Sequence, residues 1–330
     1  MQKKEINLVT GGAGFIGSHL VGKLIEKKFK VVVLDNLSTG RIENIKHFMR
    51  KIKFIKCDIS KKGVWMREFK NTNIVFHLAA LADIVPSIEN PNKYFMSNVI
   101  GTKNICNLAK KFKIKKIIYT ASSSCYGVNK NYPTNENALI DPQYPYALTK
   151  RLGEEILIHY GKVYKIDFTS LRLFNVYGTR SRTSGTYGAM FGIFLAQKLK
   201  NKPATIVGNG KQKRDFTYVS DVIDAILKAT KPKLKKNIIN IGTGKPVSVN
   251  KIVELLKFKK KTYIPKRPGE PFVTHADVKL AKKILNWRSK IKIKDGIKIL
   301  IKNINYWKYA PIWTPKKINK ATKNWFKYLN

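Results

Sequence analysis

The sequence predicts an α/β protein, a doubly wound parallel sheet that carries a smaller second α/β lobe. Three observations predict it. Short β-branched runs alternate with helix-length segments through the first two-thirds of the chain, and a glycine-rich turn separates the first run from the first helix. After residue 175 the alternation loosens into loops and shorter elements.

In order, INLVT (6–10), KVVVLD (30–35), IKFIKCD (52–58), NIVFHLA (73–79), KIIYTAS (116–122) and DFTSLRLFN (167–175) read as strands. Segments 15–28, 92–112 and 145–162 have the length and apolar spacing of helices. In such sheets ligands sit at the carboxyl ends of the strands, so the residues just beyond each run are the ones to inspect. Beyond 175 come a Gly/Ser/Thr-rich loop (178–188), a helix at 189–201, strand-like ATIVG (204–208) and NIINIG (237–242), and helices near 248–257 and 278–286. The expected division is a dinucleotide domain of residues 1–175 plus about 215–240, and a second lobe of 176–214 plus 241–330.

Composition narrows the function classes. The chain has 330 residues, 43% of them hydrophobic, enough for a large core. No apolar run reaches membrane-spanning length. Four glycines interrupt the apolar part of the opening twenty residues, and no cleavage-site pattern precedes the first strand, so the expected location is the cytoplasm. Cys57, Cys106 and Cys125 are too widely spaced for a disulfide framework or a zinc pattern, and no metal is expected. The net charge of +45 raises the question of nucleic acid. The excess is almost all Lys, spread along the whole chain, whereas base reading relies on Arg forks. A solvated basic surface is the reading, with no specific nucleic-acid partner.

GGAGFIG (11–17) follows the first strand and opens the first helix. Gly11, Gly14 and Gly17 there allow a tight turn and close approach of backbone to a pyrophosphate, with Phe15 and Ile16 beginning the helix whose free N–H groups face the phosphates. Asp35 ends the next strand, 21 residues past Gly14, where a carboxylate can hold both hydroxyls of an adenosine ribose. A carboxylate there repels a 2′-phosphate, which favours NAD over NADP. This is the Rossmann-type pattern.

PYALTK (145–150) contains a Tyr and a Lys four residues apart, but Tyr126 and Lys130 share that spacing, so spacing alone decides nothing. Pro145 suits the first position of a helix, and residues four apart on a helix share a face. Gly127 and Asn129 place the other pair in a loop. A free Tyr has a pKa near ~10 and needs nearby positive charge, from Lys150 and an oxidised nicotinamide, to serve as a base.

The ordered set TGGAGFIGSHL, DNLSTG (35–40), CDI (57–59), HLAA (77–80), ASSSCYG (121–127), YPYALTK, LRLFNVYG (171–178), RDFTYVSD (214–221) and RPGE (267–270) resembles the extended short-chain dehydrogenase/reductases, specifically the NAD-dependent nucleotide-sugar epimerases and dehydratases. The resemblance runs from residue 10 to about 290. It implies a catalytic trio of Ser122, Tyr146 and Lys150. It implies NAD contacts at Asn36, Asp58, Ile59 and Ala79 beside the glycines and Asp35, with Tyr146 and Lys150 also against the cofactor. For the substrate it implies Asn175, Arg214 and Arg267 at the pyrophosphate of a UDP-sugar, and Ser87 and Ser122 near the sugar. It also implies a homodimer formed through helices 92–112 and 145–162.

In this family the shared first step is proton removal from the sugar C4 hydroxyl by the Tyr as hydride leaves C4. Relatives that go on to eliminate water or carbon dioxide carry an acid just after the catalytic hydroxyl residue. Ser123, Ser124 and Cys125 occupy those positions here, so the resemblance implies 4-epimerisation through a transient 4-keto sugar. Thr274 falls at the gate beside the C2 substituent, and its small size favours acceptance of both UDP-glucose and UDP-N-acetylglucosamine. Arg180 and Arg182 keep UDP-glucuronate in play, and 4,6-dehydration, decarboxylation and a repurposed RNA-binding relative are the alternatives. The stretch 306–330, rich in Trp and Lys, is expected to be a terminal helix folded onto the second lobe.

Overall fold

The computed structural model describes residues 6–181 and 190–329. Six strands lie where the sequence predicts them: β1 (Ile6–Thr10), β2 (Lys30–Asp35), β3 (Ile52–Lys56), β4 (Thr72–His77), β5 (Lys116–Ser122) and β6 (Phe168–Leu173). With Asn237–Ile241 they form one parallel sheet of seven strands, in the order Asn237–Ile241, β6, β5, β4, β1, β2, β3.

Both faces of the sheet are covered, which is why its strands are apolar throughout rather than alternating. Val9, Val31, Val33, Phe76, Ile118 and Leu171 are buried in the core on one side. Their neighbours Leu8, Val32, Leu34, Val75, Ile117 and Tyr119 are buried in the core on the other. This is the period of two that a strand imposes on its side chains.

Three predicted strands overrun the observed ones. The runs 52–58, 73–79 and 167–175 leave the sheet after Lys56, His77 and Leu173. The residues beyond, Cys57 to Ile59, Leu78 to Ala80 and Asn175, turn aside and wall a cavity. Segment 92–112 is helical but not uniformly so: Pro91–Phe95 and Gly101–Lys111 flank a π turn at Met96–Ile100.

Of the elements after β6, the helix Val219–Lys228 packs against the helix Phe15–Glu26, and others contribute residues to the cavity wall. Short pairs Val176–Tyr177 with Thr217–Tyr218, Lys213–Arg214 with Val247–Ser248, and Ala204–Val207 with Lys261–Ile264 are joined by helices. Two buried carboxylates tie these segments together. Asp215 accepts hydrogen bonds from the backbone of Thr243, Gly244 and Ala276, and Asp221 from Lys290, Ile291 and the Ser289 hydroxyl. Among the described residues no helix is long and apolar enough to cross a membrane.

The C-terminal stretch ends in the helix Pro315–Leu329, with Ile318, Thr322 and Trp325 buried at helical spacing. Its packing reaches further than the expected second lobe. It also lies against the short helix Ile84–Glu89 that follows β4, on the other side of the cleft.

Candidate active site

Strand order reverses between β1 and β4, with β2 and β3 on one side and β5 and β6 on the other. A crevice opens at such a switch point because the chains leaving the two strands diverge. Here a cavity of about 660 Å³ occupies it.

The turn after β1 is held by a chain of hydrogen bonds. Gly11 has φ +70 and donates its N–H to the Leu34 carbonyl. A Cβ on Gly11 would lie 2.8 Å from Ala79, and one on Gly17 would lie 2.1 Å from the Gly11 carbonyl oxygen, so backbone packs on backbone here. The Thr10 hydroxyl oxygen accepts from the N–H groups of Leu78 and Ala79 and donates to His77 Nδ1, 2.7 Å away. His77 Nε2 in turn faces the Thr102 hydroxyl, which donates to the Asn98 carbonyl, so the ring is the neutral Nε2–H form. Burial and the charge of Lys150 pull its pKa down to about 3.

The helix Phe15–Glu26 starts at Gly14, with no side-chain cap and no acid in its first turn. Its first N–H groups therefore face the cavity, which Gly14, Phe15, Ile16 and Gly17 line. Asp35 is 7% exposed, and its carboxylate accepts from the N–H groups of Ala13 and Leu37. Burial raises its pKa while these two bonds oppose the rise. Asn36, Asp58, Ile59 and Ala79 line the same end of the cavity. A donor-rich helix start, a carboxylate at the next strand end and glycines with no room for side chains fit a dinucleotide such as NAD.

At the other end, Ser122 closes β5 and Tyr146 lies in the first turn of the helix Pro145–Tyr164. Both line the cavity. The Ser122 and Ser124 hydroxyls lie 2.7 Å apart, beside Tyr146. Burial raises the Tyr146 pKa, and those two serines are what pull it back.

Lys150 corrects a detail of the sequence reading. It lies beneath the cavity rather than in its wall, with Nζ donating to the Thr120 carbonyl at 2.7 Å and 4.3 Å from the centre of the Tyr119 ring. Burial takes its pKa down to about 7, with Glu154, one turn further along the same helix, resisting the fall. The Tyr146 pKa stays raised by burial, with the two serines opposing the rise. Lys150 thus pins the helix Pro145–Tyr164 to the strand end that carries Ser122.

Tyr126 and Lys130 part company in the fold. Tyr126 is buried, donating to Asn240 Oδ1 at 2.7 Å and accepting from Arg172 at 2.9 Å, while Lys130 is exposed. Arg172 also pairs with the buried Glu154 at 2.9 Å.

Asn175, Arg214, Arg267 and Thr274 come together on the wall opposite the helix start. Arg267 meets Glu270 at 2.9 Å, and Arg214 meets the other carboxylate oxygen of Glu270 at 3.7 Å. Two guanidinium groups therefore share one carboxylate, leaving a net positive wall suited to a diphosphate. The Thr274 hydroxyl donates to Asn175 Oδ1 at 2.8 Å and accepts from the Asp215 N–H, which fixes both rotamers.

Ser87 does not join them. It is fully buried, and its hydroxyl donates to the Ile84 carbonyl at 2.6 Å, away from the cavity lining. The helical turn that begins at Ile84 carries it inward. Arg180 lines the cavity, but its guanidinium donates to the Ser18 carbonyl and lies over the Phe48 ring, near the cofactor end. Arg182 lies outside the described residues.

Sequence reasoning missed two contributors. Asn98, in the π turn, bonds both backbone groups of Leu81 and the Thr149 hydroxyl, pinning the loop after β4 to the helix Pro145–Tyr164. Trp325, from the C-terminal helix, lines the cavity. A polar residue in an apolar helical stretch is the only signal for Asn98. Trp325 has none, because the fold brings it from outside every motif.

Residues 7–242 match the model of the NAD dependent epimerase/dehydratase family. The chain belongs to that family. A putative UDP-glucose 4-epimerase of Methanocaldococcus jannaschii is 41% identical over 301 residues, covering 89% of this chain and 96% of that protein. A UDP-N-acetylglucosamine 4-epimerase structure from Methanobrevibacter ruminantium, in complex with UDP-N-acetylmuramic acid, superposes with a TM-score of 0.84 at 31% identity, covering 92% of this chain and 100% of that one. The UDP-glucuronic acid 4-epimerase of Bacillus cereus, in complex with UDP-glucuronic acid and NAD, gives 0.84 at 32%, covering 91% and 99%. These relatives span three sugar classes, and the family uses NAD.

Proposed function

We propose that the protein interconverts UDP-sugars epimeric at C4, UDP-glucose with UDP-galactose or the N-acetylhexosamine pair. The observation that carries this reading is the turn after Ser122. The group that directly follows the catalytic strand end is a cluster of hydroxyls, with Ser124 2.7 Å from Ser122, and Ser123 and Cys125 beside them. A hydroxyl cluster can relay a proton to and from one oxygen, but it supplies no carboxylate to drive elimination from the neighbouring carbon.

Bound NAD supplies the hydride acceptor and donor. Tyr146 takes the proton of the C4 hydroxyl, with Ser122 hydrogen-bonded to the same oxygen and Ser124 supporting both side chains. Lys150 holds the helix in place through the Thr120 carbonyl. Arg214 and Arg267 grip the diphosphate, so the sugar can turn about a fixed anchor and present its other face before the proton returns. The short Thr274 side chain, held back against Asn175, leaves room at C2 for a hydroxyl or an N-acetyl group.

Incubating the purified protein with a panel of UDP-sugars and identifying products by NMR tests the reading. Epimers at C4 of glucose-series or N-acetylglucosamine-series sugars are expected. Turnover of UDP-glucuronate alone, or 4-keto-6-deoxy or pentose products, would overturn it. A homodimer is part of the proposal, because Phe95, Met96, Leu148 and Tyr164 stand exposed on the helices 91–111 and 145–164. Light scattering that returned a monomer mass would remove that part.

A further inference from the structure

We infer that the C-terminal helix Pro315–Leu329 completes the sugar-nucleotide pocket, with Trp325 as a positioning residue for Arg267 and for the start of the catalytic helix. The inference rests on reading Arg214 and Arg267 as the diphosphate grip.

Trp325 is 2% exposed, yet it lines the cavity. Its Nε1 donates to the Pro268 carbonyl at 2.8 Å, so the indole is fixed to the backbone beside Arg267. The Arg267 guanidinium lies 5.3 Å from the ring centre, within cation–π range. Arg267 is thus held between an aromatic face and the Glu270 carboxylate. A free arginine has roughly 2 kcal/mol of rotamer entropy to lose when it grips a ligand. An arginine already held loses less, and the saving appears as affinity.

The same ring reaches the chemistry by a second route. It lies 6.4 Å from the Tyr144 ring, and Tyr144 stacks on Tyr146 at 6.3 Å with an interplanar angle of 10°. Tyr144 is the N-cap residue of the helix that carries Tyr146 and Lys150. One indole therefore touches the phosphate side and the proton-transfer side of the pocket.

At the cofactor end, the terminal stretch makes a separate contact. Tyr306 donates to Asn44 Oδ1 at 2.9 Å, and the Arg41 guanidinium lies 5.7 Å from its ring. Asn44 and Arg41 line the cavity near Asp35. Loss of Trp325 is therefore expected to weaken nucleotide-sugar binding while NAD is retained.

Calorimetric titration with UDP tests this on the NAD-containing wild type, Trp325→Phe, Trp325→Ala and Ile318→Ala. Ile318 is buried in the same helix but does not line the cavity, so its variant reports loss of packing alone. The expected result is a tenfold or greater weakening of UDP binding in Trp325→Ala, recovery to within threefold in Trp325→Phe, and a lowered Tm with unchanged UDP affinity in Ile318→Ala. With a turned-over UDP-sugar, KM should rise more than kcat falls in Trp325→Ala. Affinity within twofold of wild type in Trp325→Ala overturns the inference, as does equal weakening in Ile318→Ala. A wild type that does not bind UDP overturns the reading of the arginines, and this inference with it.

Discussion

The two ends of the cleft are built on different principles. The cofactor end is local in sequence: Gly11 to Gly17, Asp35 to Gly40, Cys57 to Ile59 and Leu78 to Ala79 all lie within the first four strands and the turns after them. Its specific groups are mostly backbone, packed so closely that glycine is required. The end proposed for the substrate gathers Tyr144, Tyr146, Asn175, Arg214, Arg267, Thr274 and Trp325, spread over the rest of the chain. Its specific groups are side chains, and each is held by a partner from a distant segment. A backbone cradle tolerates almost no change at its glycines, whereas a side-chain pocket can retune its ligand by one substitution. The relatives fit this contrast, since they share NAD and differ in sugar.

The contrast can be broken or sharpened by mutation. The largest effect is expected at Tyr146, where the two ends meet: Tyr146→Phe should lower kcat by about 10²–10⁴-fold, the range for a lost general acid–base group, with little change in UDP affinity. Stopped assays with product NMR measure it. Retention of most turnover would mean that Ser122 or Ser124 carries the proton alone.

Next comes Gly17→Ala, whose Cβ would fall 2.1 Å from the Gly11 oxygen. It should cost about 1–3 kcal/mol of stability, the usual penalty for overpacking, and strip NAD from the purified protein. Thermal melting and the absorbance of released nicotinamide report the two losses. A variant that keeps its NAD would deny that backbone proximity defines this end.

Arg267→Ala should leave NAD content intact and raise KM by about 10–100-fold, as expected for a charged hydrogen bond worth about 1.5–3 kcal/mol. Equal loss of NAD would show that the two ends are not separable.

The last effect is a slope. Burial sets the Lys150 pKa at about 7, against an ordinary value near ~10.4. Between these pH values the unfolded chain holds the proton and the folded one does not, so this group makes stability rise with pH through that window. Below about pH 7 both states are protonated, and the penalty for the buried charge is fully present. Melting curves from pH 7 to 10 should therefore climb less steeply in Lys150→Met than in wild type. Lys130→Met, at an exposed position with the same spacing from a tyrosine, should follow wild type in both slope and turnover.

Much of this was legible in the chain. The alternation of apolar runs and helical segments determined the sheet, because strands buried on both faces must be apolar throughout. The glycine turn and Asp35 determined the cofactor end, because that end is made of neighbours in sequence. With Pro145 starting the helix, Tyr146 and Lys150 could be placed on one helical face, because 3.6 residues per turn is a local property. What the chain did not reveal depends on contacts between segments far apart in it. Ser87 sits in a motif position, but the helix from Ile84 turns its hydroxyl into the protein. Lys150 was expected to bring positive charge to Tyr146, yet its Nζ donates to the Thr120 carbonyl and the residue does not line the cavity. Trp325, 58 residues beyond Arg267, becomes part of the pocket only because the C-terminal helix folds back across the cleft. Periodicity and turn chemistry act over a few residues and can be read along the chain. Side-chain hydrogen bonds, ion pairs and ring contacts act over a few ångströms, and only the tertiary fold decides which residues come that close.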